Sequence, residues 1–156
     1  MRKIVSLTFV FLALILHCFS QTTSTKEIED EIFKLINQER VKKKLKPLRW
    51  DDDLAKVAQI HSQNMVKFKF FSHVDNNKHS VVERMKSAGI KQWKAIGENI
   101  GYLKSSRNVA ALLCQMWMKS EPHRKNIFND EYEETGIGIA ATEDGTYYIT
   151  QIFIKR

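Results

Sequence analysis

Apolar residues recur every three or four positions in "KEIEDEIFKLINQER", where Ile28, Ile32, Leu35 and Ile36 share one face. That spacing predicts an amphipathic helix ending before Pro47. The same period returns in "WDDDLAKVAQIHSQNMVKF", with Leu54, Val57, Ala58, His61 and Met65 in phase and Asp51, Asp52 and Asp53 at the favoured first turn. His61 therefore faces the core. A third helix opens at Ser80, with Glu83 completing a capping box, and stops at Gly89. A fourth carries Val109, Leu112, Leu113, Met116 and Trp117, while "AIGENIGYL" between them fits either a strand or an extended loop.

Toward the C-terminus the period shortens to two. Ile137 and Ile139 alternate with glycines, Asp144-Gly145 makes a turn, and Tyr147, Ile149, Gln151 and Phe153 alternate with Tyr148, Thr150, Ile152 and Ile154. This is a β-hairpin whose second strand is apolar on both faces, so it belongs inside a sheet with a layer packed on each side. Helices first and an antiparallel sheet last predict a layered α/β sandwich.

Length and composition narrow this to one globular domain, since the chain has 156 residues and is 43% hydrophobic. The start of the chain is a separate case. A basic "MRK" precedes the apolar run Ile4 to Leu16, which is short of the roughly 20 residues that a membrane span needs. Residues 1–20 are therefore expected to be a secretory signal, 21–26 a short lead and 27–156 the folded domain, with no retained transmembrane span. Lipid anchoring at Cys18 is disfavoured because His17, not a small residue, precedes it.

Export would leave Cys114 without a partner, so no internal disulfide is expected, and its neighbours Leu112, Leu113 and Met116 mark it as a buried thiol. The chain has 25 Lys+Arg against 18 Asp+Glu, a net charge of +7 that falls to +5 when Arg2 and Lys3 are removed. Its densest basic run, "RVKKKLKPLR", would suit an anionic cell surface or the dipole at a helix C-terminus. It lacks a recognition motif or interleaved aromatics, so no nucleic-acid partner is expected.

Polar residues set against the apolar pattern are the candidates for chemistry. His73 lies on a turn in "FFSHVD", His123 follows Pro122 in "WMKSEPHRKNI", and Glu98 stands among apolar residues in "GENI", where a lone charge would be costly. One carboxylate and two imidazoles could satisfy one another or hold a divalent metal. Spacing does not decide between these, because no short ligand motif is present.

"FFSHVD", "GENI", "WMKSEPHRKNI", "TGIGIA" and "YYITQIF" nevertheless occur in the order found in the CAP superfamily, of cysteine-rich secretory, antigen 5 and pathogenesis-related proteins. The chain resembles the bacterial-type, disulfide-free branch of these SCP domains from about Ile28 onward. The resemblance implies a three-layer α/β/α sandwich with a central antiparallel sheet and a cleft lined by two histidines and acidic residues. His73 and His123 match the histidines that bind zinc or another divalent ion, Glu98 matches the glutamate of G-E-N, and Asn99 and Gln151 match polar supports of the cleft. The second glutamate of other members, three residues after the helix tryptophan, is here Ser120. That departure removes one of the two carboxylates that paired acid–base chemistry would need.

Three functions follow from the resemblance and the residues together. The first is a secreted binding module whose metal-competent cleft takes a lipid, envelope or protein ligand. The second is a hydrolase, metal-assisted or serine-type, with Glu98, Ser120 and His123 as candidate catalytic residues. The third is a surface-interaction protein that uses the basic run.

Overall fold

The computed structural model describes residues 24–105 and 107–156. The expected signal and Cys18 lie outside the described residues. Helix α1 (Thr25–Lys42) begins within the stretch expected to be a lead, because Ser24 and Glu27 close a capping box. Ser24 Oγ accepts from Glu27 N–H at 3.2 Å, and Glu27 Oε2 accepts from Ser24 N–H at 2.8 Å. None of the described helices is long and apolar enough to cross a membrane.

Past α1 the chain is steered by a buried arginine. Arg40 is almost fully buried and donates to the carbonyls of Lys46, Ile127, Asn129 and Tyr132 at 2.8 to 3.2 Å. Those bonds tie the connection after α1 to the segment before β3 (Glu134–Ala141), and so lay the short strand β1 (Arg49–Trp50) beside it. The pairing of β1 with β3 is parallel. The sheet is therefore mixed, not wholly antiparallel as expected, and its order is β1-β3-β4-β2.

The remaining pairs are antiparallel. β3 and β4 (Thr146–Lys155) form the expected hairpin, with Gly145 at φ 80° in its turn, and β2 (Ala95–Lys104) pairs along its length with β4. "AIGENIGYL" is thus a strand. β4 is interior to the sheet, as its two apolar faces require.

Both faces are covered. Helix α2 (Asp52–Phe68), with Asp51 accepting from the N–H groups of Asp53 and Leu54, and α3 (Val81–Ser87) lie on one side. There Leu54, Val57, Ala58, Met85, Ile152 and Ile154 form one apolar cluster. Helices α1, α4 (Val109–Lys119) and α5 (Glu121–Ile127) cover the other side around a larger cluster that includes Ile32, Ile36, Leu113, Trp117, Ile137 and Phe153. The result is a three-layer α/β/α sandwich. Cys114 is buried in the larger cluster, and desolvation pushes its thiol up to about 12, which leaves it an inert apolar group.

Close approach of α2 to the sheet needs glycine. A Cβ on Gly136 would lie 2.1 Å from Ala55 N, and one on Gly138 would lie 2.1 Å from Gln59 N. At this distance α2 bonds to the sheet directly. Ser62 Oγ lies 2.8 Å from Gly138 O and 2.9 Å from Thr150 Oγ1, while the Gln59 amide exchanges two hydrogen bonds with the backbone of Ile139, at 2.9 and 2.7 Å. Because helix backbone, not a flexible side chain, stands in the way, Gly138→Ala is expected to lose about 3 kcal/mol or more in urea unfolding, whereas a loss below about 1 kcal/mol would show that α2 lifts off easily.

Candidate functional site

The cleft forms where the loop after α2 faces the junction of α4 and α5 across strand β2. Side chains alternate along β2, so Glu98 points to the α2/α3 layer while Asn99 points to the α4/α5 layer. Consecutive residues thereby serve opposite walls.

Glu98 is buried and has two partners, Arg84 and His73. Arg84 Nη2 donates to Glu98 Oε2, and His73 Nδ1 donates to Oε1 at 2.8 Å. Arg84 also donates through Nη1 to the carbonyls of His73 (2.9 Å) and His79 (3.2 Å). Asp75, buried in the same loop, accepts from the N–H groups of Asn77 and His79. The loop is thus clamped around His73, whose own ring stays half exposed. With Nδ1 given to Glu98, Nε2 is the nitrogen left to bind something else.

On the other wall, Asn99 Nδ2 donates to His123 O at 3.2 Å and Asn99 Oδ1 accepts from Asn126 at 2.8 Å. Asn126 also donates to Glu98 O, and Trp117 Nε1 donates to Ile100 O at 3.1 Å. These bonds fasten α4 and α5 to the outer edge of β2. His123 packs 6.2 Å from the Trp117 ring, and its buried Nδ1 has no hydrogen-bond partner. Burial, reinforced by the neighbouring His73 ring, holds its imidazole below the ordinary value, which favours the neutral form. A cavity of about 220 Å³ opens beside it, lined by Phe71, Ile100, Tyr102, Met116, Trp117 and Ser120.

The structure therefore bonds His73 to Glu98, sets His123 within electrostatic reach of His73, and puts Ser120 beside His123 at the cavity, with Asn99 directly behind. Gln151 is placed otherwise. It is fully buried in β4 and donates to Thr135 Oγ1 at 3.2 Å, so it braces the sheet interior and does not line the cleft. Asn99 is also fully buried and acts from beneath the surface. Ser120 joins α4 to α5, and among the described residues its hydroxyl makes no hydrogen bond to His123 or Glu98. Among the described residues there is also no group of three or more His, Cys, Asp or Glu suited to a metal, which leaves two imidazoles as candidate ligands.

Arg84 and Asn126 were not legible as site residues from the sequence. Arg84 left a trace, since it adjoins Met85 on the inward face of α3 and a cation there requires an acid. Asn126 left none.

A sandwich with one imidazole held by a buried glutamate and a second on the facing helix pair defines a class of domain. The chain belongs to the CAP, or cysteine-rich secretory protein, family, whose model matches residues 33–153. It is similar to the Bacillus subtilis (strain 168) proteins named uncharacterized membrane protein YlbC, 39% identical over 87% of this chain and 36% of the other, and uncharacterized protein YkwD, 38% identical over 88% and 51%. The chain thus spans about half or less of these relatives. Among solved structures it is similar to an extracellular protein containing a SCP domain from Bacillus anthracis, at 34% identity and TM-score 0.71, covering 84% of this chain and 41% of that one. An outer surface protein of Borrelia burgdorferi shares the fold at 20% identity and TM-score 0.77, over 86% and 96% of the two chains.

Removing Arg84 would strand the buried Glu98, so Arg84→Ala is expected to lower unfolding stability by about 3 to 5 kcal/mol, with a change under about 1 kcal/mol contradicting the clamp. Beneath the loop, His61 is fully buried and donates Nε2–H to Ser72 O at 3.0 Å, while its Nδ1 has no partner. Burial, then the charge of Arg84, hold His61 below its ordinary value of 6.5. Between the folded value and 6.5 the unfolded chain binds more protons, so stability is full above that window and falls as pH drops through it. The urea midpoint should accordingly fall between about pH 7.5 and about pH 5.5, and less steeply in His61→Gln, whose amide can keep the bond to Ser72. An equally steep fall in that variant would remove His61 as the cause.

Proposed function

We propose that the chain is an exported binding module whose cleft coordinates a divalent metal through His73 and His123 and presents it to an extracellular ligand. The observation that carries this reading is the His73–Glu98 hydrogen bond on Nδ1. It fixes the ring's tautomer and leaves Nε2 as a basic nitrogen, the arrangement of a metal-binding imidazole oriented by a carboxylate. The unpartnered buried nitrogen of His123 and its favoured neutral form are also consistent with a ligand at this place. Export is supported by the basic start and apolar run of residues 1–20 and by the extracellular relative at 34% identity.

In such a site Glu98 orients His73 and does not itself ligate, because both of its oxygens are engaged. A bound zinc ion would supply Lewis-acid polarisation of a ligand oxygen. This chain contributes the orientation of the two rings and an apolar wall, Ile100 and Trp117, that limits water. Hydrolysis gains no comparable support, since Ser120 has no base bonded to its hydroxyl and Glu98 is committed elsewhere.

Calorimetric titration of metal-free protein with zinc is expected to show saturable one-to-one binding that is absent in His73→Ala and in His123→Ala. Glu98→Gln should weaken it by roughly 10- to 100-fold, as loss of an orienting partner does. Binding should also weaken on acidification, as protons compete for the imidazoles. No heat from the folded protein, or binding unchanged in both histidine variants, would remove the metal from this account.

A further inference from the structure

Apart from Val41 and Ile60, the exposed large apolar side chains among the described residues are Phe68, Phe71, Val74, Tyr102, Leu112 and Met116, and three of these, Phe71, Tyr102 and Met116, line the cleft cavity. Three rings form one platform. Phe71 lies 5.8 Å from Tyr102 and 6.5 Å from Tyr148, and the two tyrosines are 5.2 Å apart. Phe71, Tyr102 and Met116 share the cleft cavity yet remain 50%, 49% and 48% exposed, and Leu112 stands one helical turn from Met116. A surface this apolar is kept in water only at a cost, so it marks a place of contact.

The charge around the platform says what it meets. In "VKFKFF" lysines alternate with phenylalanines, and Lys67 and Lys69 are exposed and form no ion pair with a carboxylate among the described residues. Lys67 Nζ lies 5.1 Å over the Phe68 ring. Lys69 adopts φ 55°, which turns the chain so that Phe70 goes inward against His61 and Phe71 outward. The acid of the same loop, Asp75, is buried and occupied by backbone N–H groups. Half-exposed rings beside unpaired lysines match the boundary of an anionic bilayer, where rings enter the headgroup layer and ammonium groups meet phosphates.

We infer that the rim residues Phe71, Tyr102 and Met116, together with Lys67, Phe68 and Lys69 at the adjoining end of α2, dock on an anionic lipid surface and hold the cleft mouth against it. The inference deepens the binding-module reading and rests on it only for export and for the cleft that opens at this rim.

The test is co-sedimentation with phosphatidylcholine vesicles made with and without phosphatidylglycerol. A chain starting at Gln21 is used so that the apolar run of residues 4–16 does not itself insert; every described element and both core clusters lie after that point. The wild type should bind the anionic vesicles and lose that binding at high salt. Replacing Lys67 and Lys69 by Ser should weaken it roughly fivefold per lysine. Phe71→Ser should weaken it roughly tenfold or more. Val41→Ser, at the remote exposed site, should change nothing. Equal partition onto neutral vesicles, wild-type binding in the rim variants, or dimerisation through the rim in place of vesicle binding would each overturn the inference. Unfolding midpoints show that the variants are folded, and zinc titration of the same proteins separates the two readings. Zinc binding without vesicle binding sinks the docking surface alone, and vesicle binding without zinc binding sinks the metal cleft alone.

Discussion

The contact on which the other arrangements depend is that of helix α2 with the backbone of β3. Glycine at positions 136 and 138 lets the helix lie directly on the sheet. Only at that separation can Ser62 reach Gly138 and Thr150, and Gln59 reach Ile139. The far end of the helix is fixed by the same contact, and with it the point from which the loop bearing His73 departs. His61, on the inward face of α2, then meets the Ser72 carbonyl. A separation greater by one methyl group would displace the imidazole at the cleft as surely as a change beside it, which links packing of the sandwich to geometry of the site.

Glu98 resolves a conflict within that geometry. A carboxylate buried next to an exposed imidazole needs a countercharge, yet the imidazole must stay free to bind. Arg84 takes the first task, and the backbone bonds of the same guanidinium to His73 and His79 hold the loop in place. His73 is then oriented by the carboxylate without having to neutralise it. Across the cleft Ser120 stands in place of a second carboxylate, and the α4 side chains Met116 and Trp117 line the cavity beside it. One wall thus carries a buried ion pair, and the other carries neutral groups only.

Much of this was legible in the sequence. The 3.6-residue period of Ile28, Ile32 and Ile36 and of Leu54, Val57, Ala58 and His61 marks two buried helix faces, and all of those residues are buried. The two-sided apolarity of "YYITQIFI" located the interior strand. Ordered motifs marked His73 and Glu98, which are hydrogen-bonded to each other, and His123, which lines the cavity that Phe71 of the His73 loop also borders. What escaped was whatever depends on pairing between distant segments. β1 is two residues long and carries no pattern; it is placed by Arg40, whose four carbonyl partners span the chain from Lys46 to Tyr132. Gln151 was expected to line the cleft because the resemblance implied it, but it lies fully buried in the interior strand, beside Asn99 and bonded to Thr135. Arg84 could be suspected as a cation on an inward face, but its partner lies fourteen residues away in another element.

The side chains that fasten helices to the strands have a further consequence at the margins of the sheet. On the β3 side, β1 covers only Glu134 and Thr135, and beyond it the amide of Gln59 occupies both the N–H and the C=O of Ile139. On the β2 side, Asn126 and Trp117 occupy the carbonyls of Glu98 and Ile100. An unfilled strand margin is a template on which a second molecule can add its own strand. Here the backbone groups of Ile139 on one margin and the carbonyls of Glu98 and Ile100 on the other are already engaged by side chains. The bonds that fasten α2, α4 and α5 to the sheet therefore also blunt its margins at those points.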